Sequence, residues 1–161
     1  MPSTTTTPTP TPTPAAPVAN PALSGLYAEV QLFYARQMQH LDAVRAEPFA
    51  ATFAADGVFD HSPDAPAVRG REAIAAEVRS YNERRFAQDP VQRRHWFNML
   101  DVREQPDGSV HTEFYALVLT TRPGQFQPVV APACVVRDVL VREDGELRTL
   151  ERRVTQDHAS F

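Results

Sequence analysis

From Pro21 onward the apolar residues recur at three- and four-residue steps: Leu23, Leu26, Val30, Phe33, Tyr34, then Leu41 and Val44. That spacing predicts one long amphipathic helix with a single buried stripe. Asn20 or Ser24 can cap it, and Pro21 suits a first turn whose amide needs no partner. A second, short helix follows Glu47-Pro48, carries Phe49 and Phe53, and is read to stop at Asp56-Gly57. "VFDH" then reads as a short strand halted by the turn-rich "SPDAP". "GREAIAAEVRSYNERRFAQ" predicts a third helix with Ile74, Val78, Tyr81 and Phe86 on its buried side.

After Arg94 the period shortens to that of strands. "HWFNMLDVRE", "SVHTEFYALVLTT", "VVAPACVVRDVLVR" and "LRTLERRVTQD" are rich in β-branched and aromatic residues, and turn signals separate them. Helices first and long antiparallel strands last imply the α+β class, with helices packed on one face of a curved sheet. A two-residue Asp107-Gly108 turn would pair His95 with Thr120, placing Phe114 and Ala116 on the His95 face and Tyr115 on the other. A turn one residue longer would reverse every one of these assignments.

Composition narrows the field. Residues 2–21, "PSTTTTPTPTPTPAAPVANP", hold seven of the fifteen prolines and almost nothing to bury. We read residues 1–21 as a disordered Thr/Pro-rich tail and 22–161 as one domain of common size. A net charge of −4 argues against nucleic acid. The local cluster Arg84, Arg85, Arg93 and Arg94 is diluted by Glu83 and Asp89 and reads as a solvated helix end. No segment offers the roughly 20 apolar residues of a membrane span. Cys134 is the lone cysteine, in an apolar context that suits an inert buried thiol, and the cytoplasm is the expected compartment.

Two places carry candidate chemistry. In "VQRRHWFNML", His95 and Asn98 interrupt an apolar run containing Trp96 and Phe97. His95 is either a working acid/base or a core histidine bonded to backbone or to Asn98. In "DGVFDHSP", Asp60 and His61 are adjacent strand residues, so only one can share the inner face with Phe59. His61 is that one if Phe59 is core, and either residue could instead cap the turn before Pro63. His61, His95 and Glu113 or Asp60 hold metal-ligating atoms, but without the close spacing of a metal motif, and no metal is expected.

"YAEVQLFYARQMQHLDAVRAEPFAATFAADGVFDHS", "VRGREAIAAEV", "RRHWFNML" and "DVLVREDGELRTLERRV" together resemble the cystatin-like, NTF2-type cone proteins. They are especially similar to the branch of SnoaL-like polyketide cyclases and of ring-hydroxylating dioxygenase small subunits. Within it, the nearest likeness is to small actinomycete proteins encoded beside actinorhodin-type polyketide pathways. The resemblance spans about Leu23 to Asp157. It implies an NTF2-like α+β cone and a cofactor-free cyclase, dehydratase or isomerase acting on a polycyclic polyketide by proton transfer next to a carbonyl. It implies that His95 faces the cavity and that Tyr34 donates its hydroxyl to the substrate. His61, one residue after Asp60, falls where the ketosteroid isomerase branch has an acidic base. Catalytic candidates are therefore His95, His61, Tyr34 and Asp60, with Asn98, Trp96, Phe59, Tyr115 and Arg153 as substrate-contacting residues. Arg153 could equally belong to a charged row on the outer sheet face. Alternatives are a non-catalytic subunit or a ligand-shielding protein. The dense apolar content of "VVAPACVVRDVLV" suggests a homodimer through the sheet.

Overall fold

The long first helix, α1 (Pro21–Asp42), begins where its signals put it. Asn20 is the N-cap, its Oδ1 accepting from the Leu23 amide at 3.3 Å, with Pro21 at the first helical position. Val30, Tyr34, Gln37 and Met38 are its buried residues. The computed structural model describes residues 20–159, so the tail expected over 1–21 lies almost wholly outside the described residues.

The second helix is shorter than the sequence suggested. α2 (Ala46–Ala50) ends before Phe53, which instead opens β1 (Phe53–Asp60). Asp56-Gly57 does not stop a helix; it lies where β1 shifts register against the last strand. A Cβ on Gly57 would sit 2.9 Å from the Thr149 carbonyl oxygen and 3.0 Å from that of Ala54. Glycine is needed here for the close approach of two backbones. A two-residue strand absent from the sequence reading, β2 (Val68–Arg69), precedes α3 (Arg71–Phe86).

Four long strands follow: β3 (Gln92–Glu104), β4 (Val110–Thr121), β5 (Val129–Glu143) and β6 (Glu146–Gln156), then a 3₁₀ turn over Asp157–Ala159. The sheet order is β2-β1-β6-β5-β4-β3, antiparallel throughout except for the parallel β1–β6 pair. The helices cover one face of this sheet, which is the α+β arrangement implied by segregated helices and strands.

Two bulges decide which side chains face inward. The β3–β4 turn is one residue longer than a two-residue turn, with Gln105 bonded to Ser109 across Pro106-Asp107-Gly108 and Gly108 at φ +81. Alone, that extra residue would reverse the faces of β3. A bulge between Asn98 and Asp101, with Met99 at φ +54, reverses them again. His95 thus pairs with Val118, not Thr120, yet shares its face with Ala116, and Tyr115 points the other way. On β6 the register shifts between Thr149 and Glu151, so that Thr149 and Arg152 are both buried although they lie three positions apart.

Arg152 is the largest fully buried side chain. Its Nε donates to Asp138 Oδ1 at 2.9 Å, and its Nη2 donates to Asp138 Oδ2 and Gln37 Oε1, both at 2.6 Å. Tyr34 donates its hydroxyl to Asp138 Oδ2 at 2.9 Å and lies 2.6 Å from Thr112 Oγ1. Burial, reinforced by the Asp138 charge, raises Tyr34 well above the usual phenol range and keeps it a donor. Gln37 continues the network to Thr52 at 2.7 Å and Thr149 at 3.1 Å. Breaking a buried pair strands its partner charge, so Asp138→Asn should cost about 3–5 kcal/mol of stability. Tyr34→Phe, which leaves the ion pair intact, should cost about 1–3 kcal/mol. Urea midpoints at constant m-value measure both.

Candidate active site

Between the end of α1, α3 and the inner face of the sheet lies a cavity of about 200 Å³. Met38, Leu41, Val78, Phe97, Val118 and Val136 make much of its wall apolar. Against this wall stand His61, His95, Asp42, Glu77, Arg93 and Arg152.

His95 points inward because it lies before the β3 bulge, in phase with Arg93 and Phe97. Asp42, the last residue of α1, meets it there. The Asp42 carboxylate accepts the His95 backbone N–H at 3.2 Å and lies 2.6 Å from His95 Nδ1. An acidic acceptor on Nδ1 places the ring proton on that nitrogen and leaves Nε2 as the acceptor nitrogen. Only Arg93 Nη2, at 3.4 Å, approaches Nε2 among the described protein groups. Burial dominates and holds His95 below its ordinary 6.5; the Asp42 hydrogen bond opposes this, and the Arg93 charge adds to it. At neutral pH the imidazole is therefore a neutral base.

His61 directly follows β1 and lines the same cavity. Its ring stacks on Phe59 at 4.6 Å between centroids and meets the edge of Tyr81 at 5.6 Å. His61 Nε2 lies 3.2 Å from Glu77 Oε1, and burial lowers this histidine too, against the pull of Glu77. The cavity thus contains two histidine–carboxylate pairs. Cys134 also lines it, its thiol pushed up to about 11 by burial, so it carries no nucleophilic thiolate near neutrality. Arg152 commits Nε and Nη2 to Asp138 and Gln37, so its charge on the cavity wall is matched from behind.

Of the catalytic and substrate-contacting candidates named from the sequence, His95, His61 and Phe59 line the cavity, and Tyr34, Asp60, Asn98, Trp96, Tyr115 and Arg153 are not among its lining residues. Tyr34 spends its hydroxyl on Asp138 and Thr112, deep in the polar network. Asp60 faces the outer side of the sheet, 3.7 Å from exposed Arg153. Trp96 and Tyr115, 63% and 57% exposed, stand on that outer face. Asn98 is on it as well, accepting from the Met99 amide within the bulge. The inward arginine of β6 is Arg152, one residue before the expected Arg153, because the β6 bulge changes the phase. Arg85 and Arg93, read as part of a solvated cluster, line the cavity instead.

Sequence reasoning missed Asp42, Glu77, Arg93 and Arg152. Asp42 directly follows Leu41 on the apolar stripe, and Glu77 neighbours Val78, so each sat beside an apolar residue that packs inward, Leu41 half-buried and Val78 buried. Nothing local announces their histidine partners, which lie 53 and 16 residues away.

Residues 25–153 match the SnoaL-like domain family. ActVI-ORFA from Streptomyces coelicolor is 45% identical, with a TM-score of 0.77 over 83% of this chain and 98% of that one. A protein from Catenulispora acidiphila, solved in complex with S-DNPA, is 48% identical with a TM-score of 0.77, over 85% and 97% of the two chains. An NTF2-like protein with a cystatin-like fold from Novosphingobium aromaticivorans, 19% identical over 84% of each chain with a TM-score of 0.70, shares the fold. No curated protein matches the chain. The chain belongs to the SnoaL-like domain family and has its NTF2-like α+β cone.

Proposed function

We propose that the protein is a cofactor-independent acid/base catalyst of the cyclase, dehydratase or isomerase type, acting on an aromatic polyketide intermediate held in the cone. The observation that carries this reading is the His95–Asp42 pair at 2.6 Å, with Nε2 turned to an apolar cavity. Family membership and the S-DNPA complex of a 48% identical protein support a small-molecule occupant.

The chemistry runs through one proton. His95 Nε2 removes a hydrogen from carbon next to a carbonyl, and the C–H electron pair moves into an enolate. Asp42 holds the ring and stabilises the imidazolium that forms. Arg93 and Arg152 are the cations on the cavity wall that offset the developing oxyanion in a site of low dielectric. Returned to another carbon, the proton gives a double-bond shift. Delivered to a departing hydroxyl, it gives water and a new double bond. His61, paired with Glu77 on the same cavity, is the second group able to relay a proton.

His95→Gln should lower turnover of an aromatic polyketide intermediate by about 10²-fold or more with the melting temperature retained. Unchanged turnover sinks the assignment. Exchange of the substrate's acidic C–H in D₂O, followed by NMR, reads the same step without product formation.

The pH profile follows from the lowered His95. The base stays unprotonated through neutrality, so kcat/KM should fall only on the acid side of 6.5. Because the Asp42 hydrogen bond raises the imidazole, Asp42→Asn should move that acid limb to lower pH. It should also lower the plateau, by weakening support for the imidazolium.

The outer face fits a second copy of the chain. Trp96, Met99, Tyr115 and Leu117 form an exposed apolar patch on adjacent strands, larger than scattered surface residues require. Trp96→Arg should convert a dimer into a monomer in light scattering, and a wild-type monomer at micromolar concentration contradicts the assembly.

A further inference from the structure

Arg93 enters the cavity from β3 two residues before His95, on the same inward face. Its Nη2 lies 3.4 Å from His95 Nε2, the ring nitrogen that Asp42 does not take. Two aromatic rings of α3 hold the guanidinium, whose carbon is 5.5 Å from the centroids of both Tyr81 and Phe86. Those rings meet edge to face at 6.2 Å and form one shelf. Among the described residues Arg93 makes no ion pair, since Asp42 is engaged by His95, and Glu77 by His61 and Arg84.

An arginine keeps its charge in a protein, and every guanidinium N–H is a donor. A histidine nitrogen that faces one is therefore an acceptor. His95 stands between a carboxylate that accepts from Nδ1–H and a cation that donates to Nε2. Protonation at Nε2 would set N–H against N–H and one positive charge beside another, so it requires Arg93 to move. A contact of 3.4 Å is long for a hydrogen bond, and exchanging it for an enolate oxygen gains a charge-assisted one. The shelf suits that exchange, because ring faces attract a cation without fixing the direction of its donors. The other charges acting on His95 are Asp42 on α1 and Arg152 on β6, and Arg152 is matched by Asp138. Those acting on His61 are Glu77 on α3, Asp60 on β1 and, again, Arg93. Arg93 itself is faced by Tyr81 and Arg85 of α3 and by Asp42.

We propose, on the basis of the proton-transfer reading, that Arg93 holds His95 Nε2 as an acceptor before substrate enters and passes its N–H to the substrate oxygen as Nε2 takes the carbon-bound proton. In that step the C–H bond breaks and an N–H bond forms at Nε2. The C–H electron pair moves to the oxygen as an enolate, and Arg93 changes acceptors with no bond of its own broken. The base is uncovered and the oxyanion met in one movement. Tyr81 and Phe86 act at one remove, by supporting the cation on both sides of that movement.

NMR titration of the histidine ring protons in the full chain reads the Arg93 contact without turnover. Arg93→Met should raise the His95 midpoint by about one pH unit, because it removes a cation from beside the protonated form. His61, which has no bond to Arg93, should rise less. Arg93→Lys keeps the charge and should hold the His95 midpoint near the wild-type value. Arg94→Met removes the neighbouring exposed cation and should move neither histidine. In Arg93→Met the acid limb of kcat/KM should follow the His95 midpoint upward, with the plateau lowered by about 10²-fold. An unmoved His95 midpoint in Arg93→Met, an equal rise in Arg94→Met, or a full rise in Arg93→Lys overturns the proposal. If circular dichroism shows Arg93→Met unfolded, Phe86→Leu carries the test. With one ring of the shelf gone the His95 midpoint should rise, and no rise overturns the proposal. A raised midpoint with an unmoved acid limb removes proton transfer by His95 and leaves the Arg93 contact standing. An unmoved midpoint with His95→Gln inactive removes the role of Arg93 alone.

Discussion

The buried Arg152–Asp138 pair is the constraint on which the rest of the molecule depends. A guanidinium 2% exposed to solvent is tolerable only when its charge and donors are matched, and here four groups share that task. Asp138 comes from β5 and Arg152 from β6. Tyr34 and Gln37 come from α1, and Thr112 from β4. Satisfying one cation therefore fixes the long helix against three strands. The end of that helix carries Asp42, so the network that completes the core also sets the distance between Asp42 and His95. Structure and chemistry are coupled through a single buried charge.

The bulges supply the second requirement. A regular strand alternates its faces without exception, and an α+β cone needs a polar group at chosen depths of an otherwise apolar wall. On β3 the bulge at Met99 keeps His95 and Arg93 inward while Leu100 and Val102 remain in the core beyond it. On β6 the shift at Leu150 turns Arg152 inward and leaves Arg153 on the outside with Asp60. Bulges of this kind re-aim side chains near active sites. The two arginines of "ERRV" show how much one inserted residue decides.

Electrostatics in the cavity follow from this placement. Each histidine is neutralised by burial and oriented by a carboxylate, so both begin as bases near neutral pH. The arginines then set what the cavity can hold. Arg152 is matched from behind by Asp138, whereas Arg85 lies over Tyr81 and Arg93 lies against Tyr81, Phe86 and the Nε2 of His95. Neutral bases beside buried cations are what the proposed proton transfer from carbon requires.

Helix stripes, strand periods and their order along the chain are local or nearly local properties, and they were enough for the α+β class, for the first helix with Asn20 as one of its two candidate caps, and for the family resemblance. The inward direction of His61 was legible as well, because Phe59 two residues earlier had to be core. The face of His95 was not. It depended on a turn one residue longer than two and on a bulge that reversed the effect, and neither feature is written in a hydrophobic period. Nor could the sequence disclose Asp42, Glu77, Arg93 or Arg152 as site residues, because their meaning lies in partners brought together from distant elements. Hydrophobic burial responds to short-range pattern and so can be read from it. Hydrogen-bonded pairs between buried polar groups exist only where the folded backbone brings them within about 3 Å, and the tertiary structure alone decides that.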